Sequence, residues 1–351
     1  MRSGATRIKY GALALRPGGS GVQTYIRELL NALPSHLPAA ELSAVVQRDA
    51  VGELPAAVRP VPRPVCSGAV RAMMGALPVT GSDVVHGLDV DLPVLTTGFT
   101  VATVHDLSVI DMPSASTKFR ALGESRLVRH ALRKADLLLA VSRFTAERIK
   151  SVSGREATVV ELAPAGWARP PTPEQIARVR ARYRLPERFV LQVGTVEPRK
   201  NVQLVAEAAD LLGIPCLLAG AGSTGPDAPG TARGLGYVSV VDLPALYAAA
   251  TVTAYASHYE GFGLPPVEAM ACGGAVVASA VGALPEVVGD GAVLVATHRV
   301  ADWVQAMRAL VSEPAARGEL AGKAVAAMRE LSWERTAERT VAAYHAAGAM
   351  T

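Results

Sequence analysis

The sequence predicts an α/β protein made of two Rossmann-like, doubly wound parallel-sheet domains facing each other across a cleft. Three observations predict it. Short apolar runs alternate with segments of helical period along most of the chain, which is the pattern of parallel strands joined by crossover helices. The alternation starts afresh after a Pro- and Ala-rich stretch at 163–173, APAGWARPPTP. And 351 residues, 50% of them apolar and 19% charged, supply enough material for two cores in a globular chain.

In order, residues 9–15 read as a first strand, followed by the turn Arg16-Pro17-Gly18-Gly19-Ser20-Gly21. Val22, Tyr25, Ile26, Leu29, Leu30 and Leu33 then recur at helical spacing. Further strands are expected at 42–47, 83–86, 100–105 and 137–142, with Ser142 capping a helix over 143–150. Beyond the linker, a helix at 173–183 leads into a strand at 189–193. A helix at 202–212, a strand at 216–219, a loop at 220–230 and a helix at 243–249 follow. Strands at 252–255, 275–278 and 292–295 surround a helix at 285–288. Helices near 300–311, 315–330 and 333–347 close the chain. The domain boundaries are expected near residues 168 and 332.

Composition removes several function classes. No run of 18 apolar residues exists, so no membrane span is expected, and the apolar stretch near the N-terminus is too short for a signal peptide. A net charge of +4, without a long Lys/Arg run, lacks the electrostatic footprint of a nucleic-acid binder. Cys66, Cys216 and Cys272 are far apart and odd in number, so neither zinc nor disulfide spacing is present. They read as small core residues in a reducing compartment, and the expected location is cytoplasmic.

The most informative segment runs from Glu260 to Glu268: EGFGLPPVE, then AMACGG. Two carboxylates flank a Gly-rich loop, and prolines open a helix, as Pro does where its missing N–H has no partner. The N–H groups of Phe262, Gly263 and Leu264 are expected at the helix mouth, which attracts anions, with Glu268 in the first turn. Gly194-Thr195-Val196-Glu197-Pro198-Arg199-Lys200-Asn201 also joins a strand to a helix, with Asn201 in position to cap it. Cations before a helix mouth oppose its dipole unless an anion lies between them, which favours a phosphate site at Arg199 and Lys200. The Gly18–Gly21 turn can bring backbone close to a diphosphate, and equally be an ordinary tight turn.

His105 and Asp106 end a strand, and His86 ends another. Each His reads either as a residue facing a ligand cleft or as a buried imidazole bonded to backbone. Asp89-Val90-Asp91 has the form of a metal-binding DxD, but a polar turn before Leu92-Pro93 is the preferred reading. Glu260 and Glu268 also fit a glycosidase acid/base pair, which would need neither an anion site nor a neighbouring Arg-Lys pair. Arg126, Arg129, His130, Arg133 and Lys134 make a basic helix face, suited to a membrane surface, an acidic acceptor or plain solvent.

With these motifs in place, the chain resembles the family-4 retaining glycosyltransferases of GT-B fold, especially their bacterial mannosyltransferase-like branch. The resemblance runs nearly end to end: GGSGVQTYIRELL, VHDLSVIDMP, AVSRFTAERI, VGTVEPRKN, DLPALYAAA, EGFGLPPVEAMACGGAVVAS, ALPEVVGDGAVLV and SWERTAERTVAAYHAA. VGTVEPRKN and EGFGLPPVEAM carry most of its specificity. The family often has Asp-Pro after the last strand, where this chain has Ala296-Thr297-His298. Residues 50–80 carry no acceptor signature.

The resemblance implies an acceptor-binding domain over 1–168, a nucleotide-sugar-binding domain over 169–332, and a C-terminal helix, 333–351, packing back on the first domain. It implies Arg199, Lys200, Gly194, Gly18 and Gly19 at the donor diphosphate, and Glu268 on the ribose. Glu260 with Gly261, Phe262, Gly263 and Leu264 would hold the donor sugar and its phosphate. Backbone at Tyr237 and Val238 would touch the base, and His105 would stand beside the reacting sugar. His105, Arg199, Lys200 and Glu260 are then the expected catalytic group, with His86 and Asp106 on the acceptor side.

The implied reaction is transfer of a hexosyl group, with retention, from a nucleoside diphosphate sugar to a hydroxyl. GDP-mannose is the first expectation, with UDP- and dTDP-sugars open. The acceptor is a saccharide, a lipid-linked species or a natural product, and the lipid-linked case brings peripheral membrane contact at the inner face. No cofactor, metal or nucleic acid is expected. An epimerase or phosphorylase on the same fold, a dinucleotide-dependent oxidoreductase and a non-catalytic sugar-nucleotide-binding subunit are the competing readings. The missing GxGxxG disfavours the oxidoreductase.

Overall fold

In the computed structural model, which describes residues 5–18, 21–112 and 118–350, the described chain forms two parallel sheets. The first comprises β1 (Arg7–Gly11), β2 (Glu41–Gln47), β3 (Arg59–Arg63), β4 (Val84–Gly87), β5 (Phe99–Val104), β6 (Leu137–Ala140) and β7 (Thr158–Val159), in the order β3-β2-β1-β4-β5-β6-β7. The second comprises β8 (Val190–Val193), β9 (Cys216–Ala219), β10 (Ala232–Gly234), β11 (Val252–Tyr255), β12 (Val276–Ser279) and β13 (Ala292–Val295), in the order β10-β9-β8-β11-β12-β13. Doubly wound parallel sheets are thus what the alternation encodes. The winding reverses between β1 and β4 in one sheet and between β8 and β11 in the other. Open sheets of this kind bind ligands beyond strand ends at such reversals.

The chain divides into two compact units: residues up to Leu162 with those from Ser332 onward, and Ala163–Leu331. In the first unit the helices are α1 (Val22–His36), α2 (Gly68–Ala76), α3 (Ser108–Asp111), α4 (Lys118–Lys134) and α5 (Arg143–Ser153). The second holds α6 (Pro173–Arg182), α7 (Val202–Leu211), α8 (Leu243–Ala249), α9 (Leu264–Ala271), α10 (Leu284–Val288), α11 (Val300–Ser312) and α12 (Pro314–Met328). Helix α13 (Trp333–Ala346) belongs to the first unit.

Strands LLLA and CLLA are continuous apolar runs, and VTAY and VVAS are buried along their whole length, because helices cover both sheet faces. In the second unit Val190, Val205, Val252 and Val277 pack against the fully buried Trp303 and Met307 of α11. Each such apolar side chain contributes about 1.5–3 kcal/mol. Local chemistry sets the helix ends. Ser142 accepts from the Thr145 N–H, as its position predicts, and Gly154 closes α5 in the left-handed region. Thr172 and Gln175 make a reciprocal capping box at α6, with Pro173 at its first position.

The short strands β7 and β10 were not expected, and two further segments depart more strongly from the sequence reading. The first strand spans 7–11 rather than 9–15: Leu13 and Leu15 are buried in a turn, where Ala12 N–H donates to the Val45 carbonyl. Residues 50–80 hold β3 and α2, neither of which was expected. Strand β3 reads Arg-Pro-Val-Pro-Arg, and its prolines are tolerated because it is the sheet edge.

Helix α13 is tied to the first sheet by a buried polar chain. Tyr25 Oη lies 2.8 Å from Thr103 Oγ1, which lies 2.9 Å from His86 Nε2, and His86 Nδ1 lies 2.6 Å from Tyr344 Oη. Thr336 Oγ1 also donates to the Glu161 carbonyl at 2.8 Å.

Candidate functional site

The expected phosphate motif and the expected sugar motif meet on adjacent strands of the second sheet. The loop after β8 carries Arg199 and Lys200 in a short 3-10 turn, Pro198–Lys200. The loop after β11 carries Ser257, Tyr259 and Glu260. Because β8 pairs with β11, both loops leave the sheet at its winding reversal. Lys200 Nζ donates to Glu260 Oε1 at 2.6 Å, and Arg199 donates to Glu260 Oε2 at 3.3 Å. Arg199 also donates to the Tyr259 carbonyl (2.9 Å) and to Glu197 Oε1 (2.7 Å). Ser257 Oγ donates to Glu260 Oε1 at 2.6 Å, and its own carbonyl accepts from Ser279 Oγ and from His298 Nε2.

Glu260 is 6% exposed. Burial pushes its carboxyl up, but Lys200 and Arg199, with hydrogen bonds from Lys200 and Ser257, outweigh that and hold it below the usual carboxylate range. The anion that settles the two cations is therefore an internal one. A fixed carboxylate in contact with both presets their positions, as preorganised electrostatic sites require.

The Gly-rich loop is buried from Gly261 to Leu264. Gly263 is the N-cap of α9 at φ 99°, a conformation that favours glycine, and a Cβ there would press on the tip of the Leu284 side chain at 2.5 Å. Pro265 and Pro266 lack N–H groups. The N–H groups of Phe262, Gly263 and Leu264 have no backbone partner among the described residues and are the open donors at this helix mouth. Glu268, 8% exposed, is the fifth helical residue and sits in the second turn, a correction to its expected place in the first. Asn201 occupies the N-cap of α7 but at φ 46° and without a side-chain capping bond, so its expected capping bond is not made.

Gly194, at φ 142°, packs so close to Gly220 that a Cβ on Gly220 would lie 2.4 Å from the Gly194 carbonyl oxygen. Tyr237 is 67% exposed and Val238 is buried, just past β10. Ser257, Glu197 and the tilted ring pair His258–His298, with centroids 4.3 Å apart, adjoin the same loops and escaped the sequence reading. The Ser-x-x-Glu spacing of Ser257 and Glu260 was the available signal.

Gly282, at φ 58°, lets the loop before α10 touch Glu260: a Cβ there would lie 2.3 Å from the Glu260 carbonyl oxygen, which accepts from the Ala283 N–H. Gly282→Ala is expected to cost about 2 kcal/mol or more, from left-handed strain plus the clash, and to lower activity. Denaturant unfolding and an assay at matched folded fraction check this, and a variant as stable and active as the parent contradicts it.

In the first unit, His105 Nε2 lies 2.9 Å from the Leu88 carbonyl oxygen and its ring meets Tyr25 edge-on at 4.6 Å. Asp106 Oδ1 accepts from both the N–H and the hydroxyl of Ser108, opening α3. Gly18 takes a turn conformation at φ 67°, while Gly19 lies outside the described residues. Asp91 is buried and paired with Arg71 at 2.7 Å. Arg126, Arg129, Arg133 and Lys134 form an exposed face of α4. Among the described residues no group of three or more His, Cys, Asp or Glu is placed to hold a metal, and no helix is long and apolar enough to cross a membrane.

His86 corrects the acceptor-side expectation. It is fully buried with both ring nitrogens engaged, so it offers nothing to a ligand. Burial, with a smaller contribution from His105, lowers its pKa from 6.5 to about 3. On acidification the unfolded chain therefore takes up this proton first. The contribution is complete above pH 6.5 and is lost as pH falls towards 3. Between pH 7 and pH 5 His86 is expected to remove about 2 kcal/mol of stability. Urea midpoints at both pH values should show His86→Gln losing that part of the slope; an unchanged slope would contradict the assignment.

Known proteins resemble the chain in sequence and in fold. Residues 175–327 match the family described as Glycosyl transferases group 1. The chain is 35% identical over 265 residues to the O-antigen chain mannosyltransferase B of Escherichia coli, covering 70% of this chain and 69% of that protein. It is 35% identical over 281 residues to the D-inositol 3-phosphate glycosyltransferase of Actinosynnema mirum, covering 72% of this chain and 66% of that protein. Among solved structures, sucrose-phosphate synthase from Thermosynechococcus elongatus superposes with a TM-score of 0.78 at 21% identity, covering 99% of this chain and 100% of that one. Anabaena HepE in complex with UDP and glucose superposes with a TM-score of 0.71 at 18% identity, covering 96% and 98%. These two likenesses concern the fold, which is that of GT-B glycosyltransferases. With one sheet's reversal holding the Arg199–Lys200–Glu260 cluster, and with relatives of this identity and coverage, the chain belongs to the group 1 glycosyltransferases.

Proposed function

We propose that the chain transfers a hexosyl group from a nucleoside diphosphate sugar to a hydroxyl of a saccharide, lipid-linked or natural-product acceptor, with retained anomeric configuration and without a metal. The second unit binds the donor and the first binds the acceptor. The observation that carries the reading is the Lys200–Glu260–Arg199 cluster at the reversal of the second sheet. As the glycosidic bond breaks, negative charge grows on the leaving diphosphate. Lys200, Arg199 and the N–H groups of Phe262, Gly263 and Leu264 are the donors that stabilise it. Glu260 orients the two cations and accepts from donor-sugar hydroxyls, and Glu268 accepts from the ribose. The leaving phosphate itself takes the acceptor proton, so no separate protein base is required.

GDP-mannose is the first donor to test, supported by the mannosyltransferase among the relatives. Thermal unfolding with a panel of nucleoside diphosphates identifies the base, because a ligand of the folded state stabilises it by mass action. Glu268→Ala is expected to shrink the largest shift. No shift with any nucleotide would overturn the donor reading, and activity lost to chelator and restored by Mg²⁺ would overturn the metal-free route.

A further inference from the structure

The loop after β13, Ala296-Thr297-His298, is where the sequence departs from the family resemblance, and it reaches the Lys200–Glu260–Arg199 cluster through a single residue, Ser257. Its base is fixed by α11. The indole of the fully buried Trp303 donates to the Thr297 carbonyl at 2.9 Å, and the Thr297 hydroxyl donates to the Asp302 carboxylate. With Thr297 anchored, the next side chain, His298, places Nε2 3.1 Å from the Ser257 carbonyl oxygen. A carbonyl only accepts, so this nitrogen carries the proton. Strand order brings the groups together. Ser257, Ser279 and His298 stand at the carboxyl ends of β11, β12 and β13, which are neighbours in the sheet.

Ser257 joins this loop to the cluster. Its carbonyl accepts from Ser279 Oγ at 2.6 Å as well as from His298, so both lone pairs of the oxygen are engaged. Its hydroxyl donates to Glu260 Oε1 at 2.6 Å, the same oxygen that takes the Lys200 ammonium. On the other flank, the His258 N–H donates to the Arg199 carbonyl at 2.8 Å. The Ser279 bond by itself satisfies the buried acceptor. What the His298 bond adds is direction: two donors fix the plane of the carbonyl, where one leaves it free to rock. A shift of that peptide would move the Ser257 hydroxyl, and with it the carboxylate that presets Lys200. His298 is half-buried, and its ring lies 4.3 Å from that of His258, tilted by 42°. Removing its N–H leaves no buried group unpaired, so a kinetic effect separates from a loss of fold.

We propose that His298 is a positioning residue for sugar transfer: its Nε2–H, through the Ser257 carbonyl, holds the Ser257 hydroxyl on Glu260 and so the placement of Lys200. The inference rests on the proposed reading of that cluster. Steady-state kinetics of the full chain test it with three substitutions. His298→Phe keeps a ring against His258 but has no donor, and should lower kcat about tenfold, a fraction of the roughly hundredfold that a misplacement of about 1 Å can cost. The donor KM should stay within about twofold, because the loss falls on the transition state. His298→Ala should match His298→Phe. His298→Gln carries an amide N–H at a similar reach, and should return kcat to within about threefold of the parent. In a Ser257→Ala background, where the hydroxyl that carries the effect is gone, His298→Phe should change kcat less than about twofold. A merely structural role would give neither the rescue by Gln nor the dependence on Ser257. Normal turnover in His298→Phe beside a slow Lys200→Ala overturns this inference alone, as does a His298→Gln variant as slow as His298→Phe. Normal turnover in Lys200→Ala overturns the cluster reading and this inference together.

Discussion

Lys200→Ala is expected to slow sugar transfer about 100- to 1,000-fold, the loss seen when one preorganised donor to a developing oxyanion is removed. The Lys200 ammonium is held by a buried carboxylate at 2.6 Å, so it is already positioned before a donor arrives. The loss should therefore fall mainly on kcat, as for an interaction that strengthens in the transition state. Arg199→Ala should cost at least as much, because that guanidinium also holds the Tyr259 carbonyl and Glu197. Lys200 is the cleaner test. Steady-state kinetics with a matched donor decide it, and near-normal turnover in both variants would remove the phosphate site.

Glu260→Ala is expected to destabilise the fold by about 3 kcal/mol as well as abolish transfer. Removing one partner of a buried ion pair leaves the others uncompensated. Here both Lys200 and Arg199 lose their shared counter-charge, and Ser257 loses its acceptor. The double variant Glu260→Ala/Lys200→Ala should recover part of the loss, since one uncompensated cation has gone. Its stability falling by the plain sum of the single changes would exclude the coupling. The pH dependence has a definite sign. Glu260 titrates below its ordinary 4.5 in the folded chain, so its contribution is present above that value and is lost as pH falls through the folded pKa. Glu260→Ala should accordingly flatten the acid limb of the stability curve.

Legibility in the sequence followed the range of the interaction. Ser142 announces its helix start because a cap acts on N–H groups only three residues on, while Asn201, read by the same rule, makes no capping bond. The continuous apolar strands are equally plain. Strand β3 was hidden, because prolines argue against a strand and only its place on the sheet edge excuses them. The first strand was set too late, because Leu13 and Leu15 are apolar for a turn that packs, not for a ladder. His86 carried no local mark separating a ligand contact from a core imidazole. Its partners, Thr103 and Tyr344, lie 17 and 258 residues away.

The sequence by itself determined the two doubly wound sheets, the two motifs VGTVEPRKN and EGFGLPPVEAM, and through them the family. Periodicity, caps and glycine-proline spacing act within a few residues and are written in order along the chain. Tertiary structure alone decided that Glu260 is the counter-ion of Lys200 and Arg199, sixty-odd residues earlier, rather than a lone acceptor. It also decided that His86 is core. Those pairings depend on which strands lie side by side, and strand order is set by the packing of the whole sheet, not by the residues of any one strand.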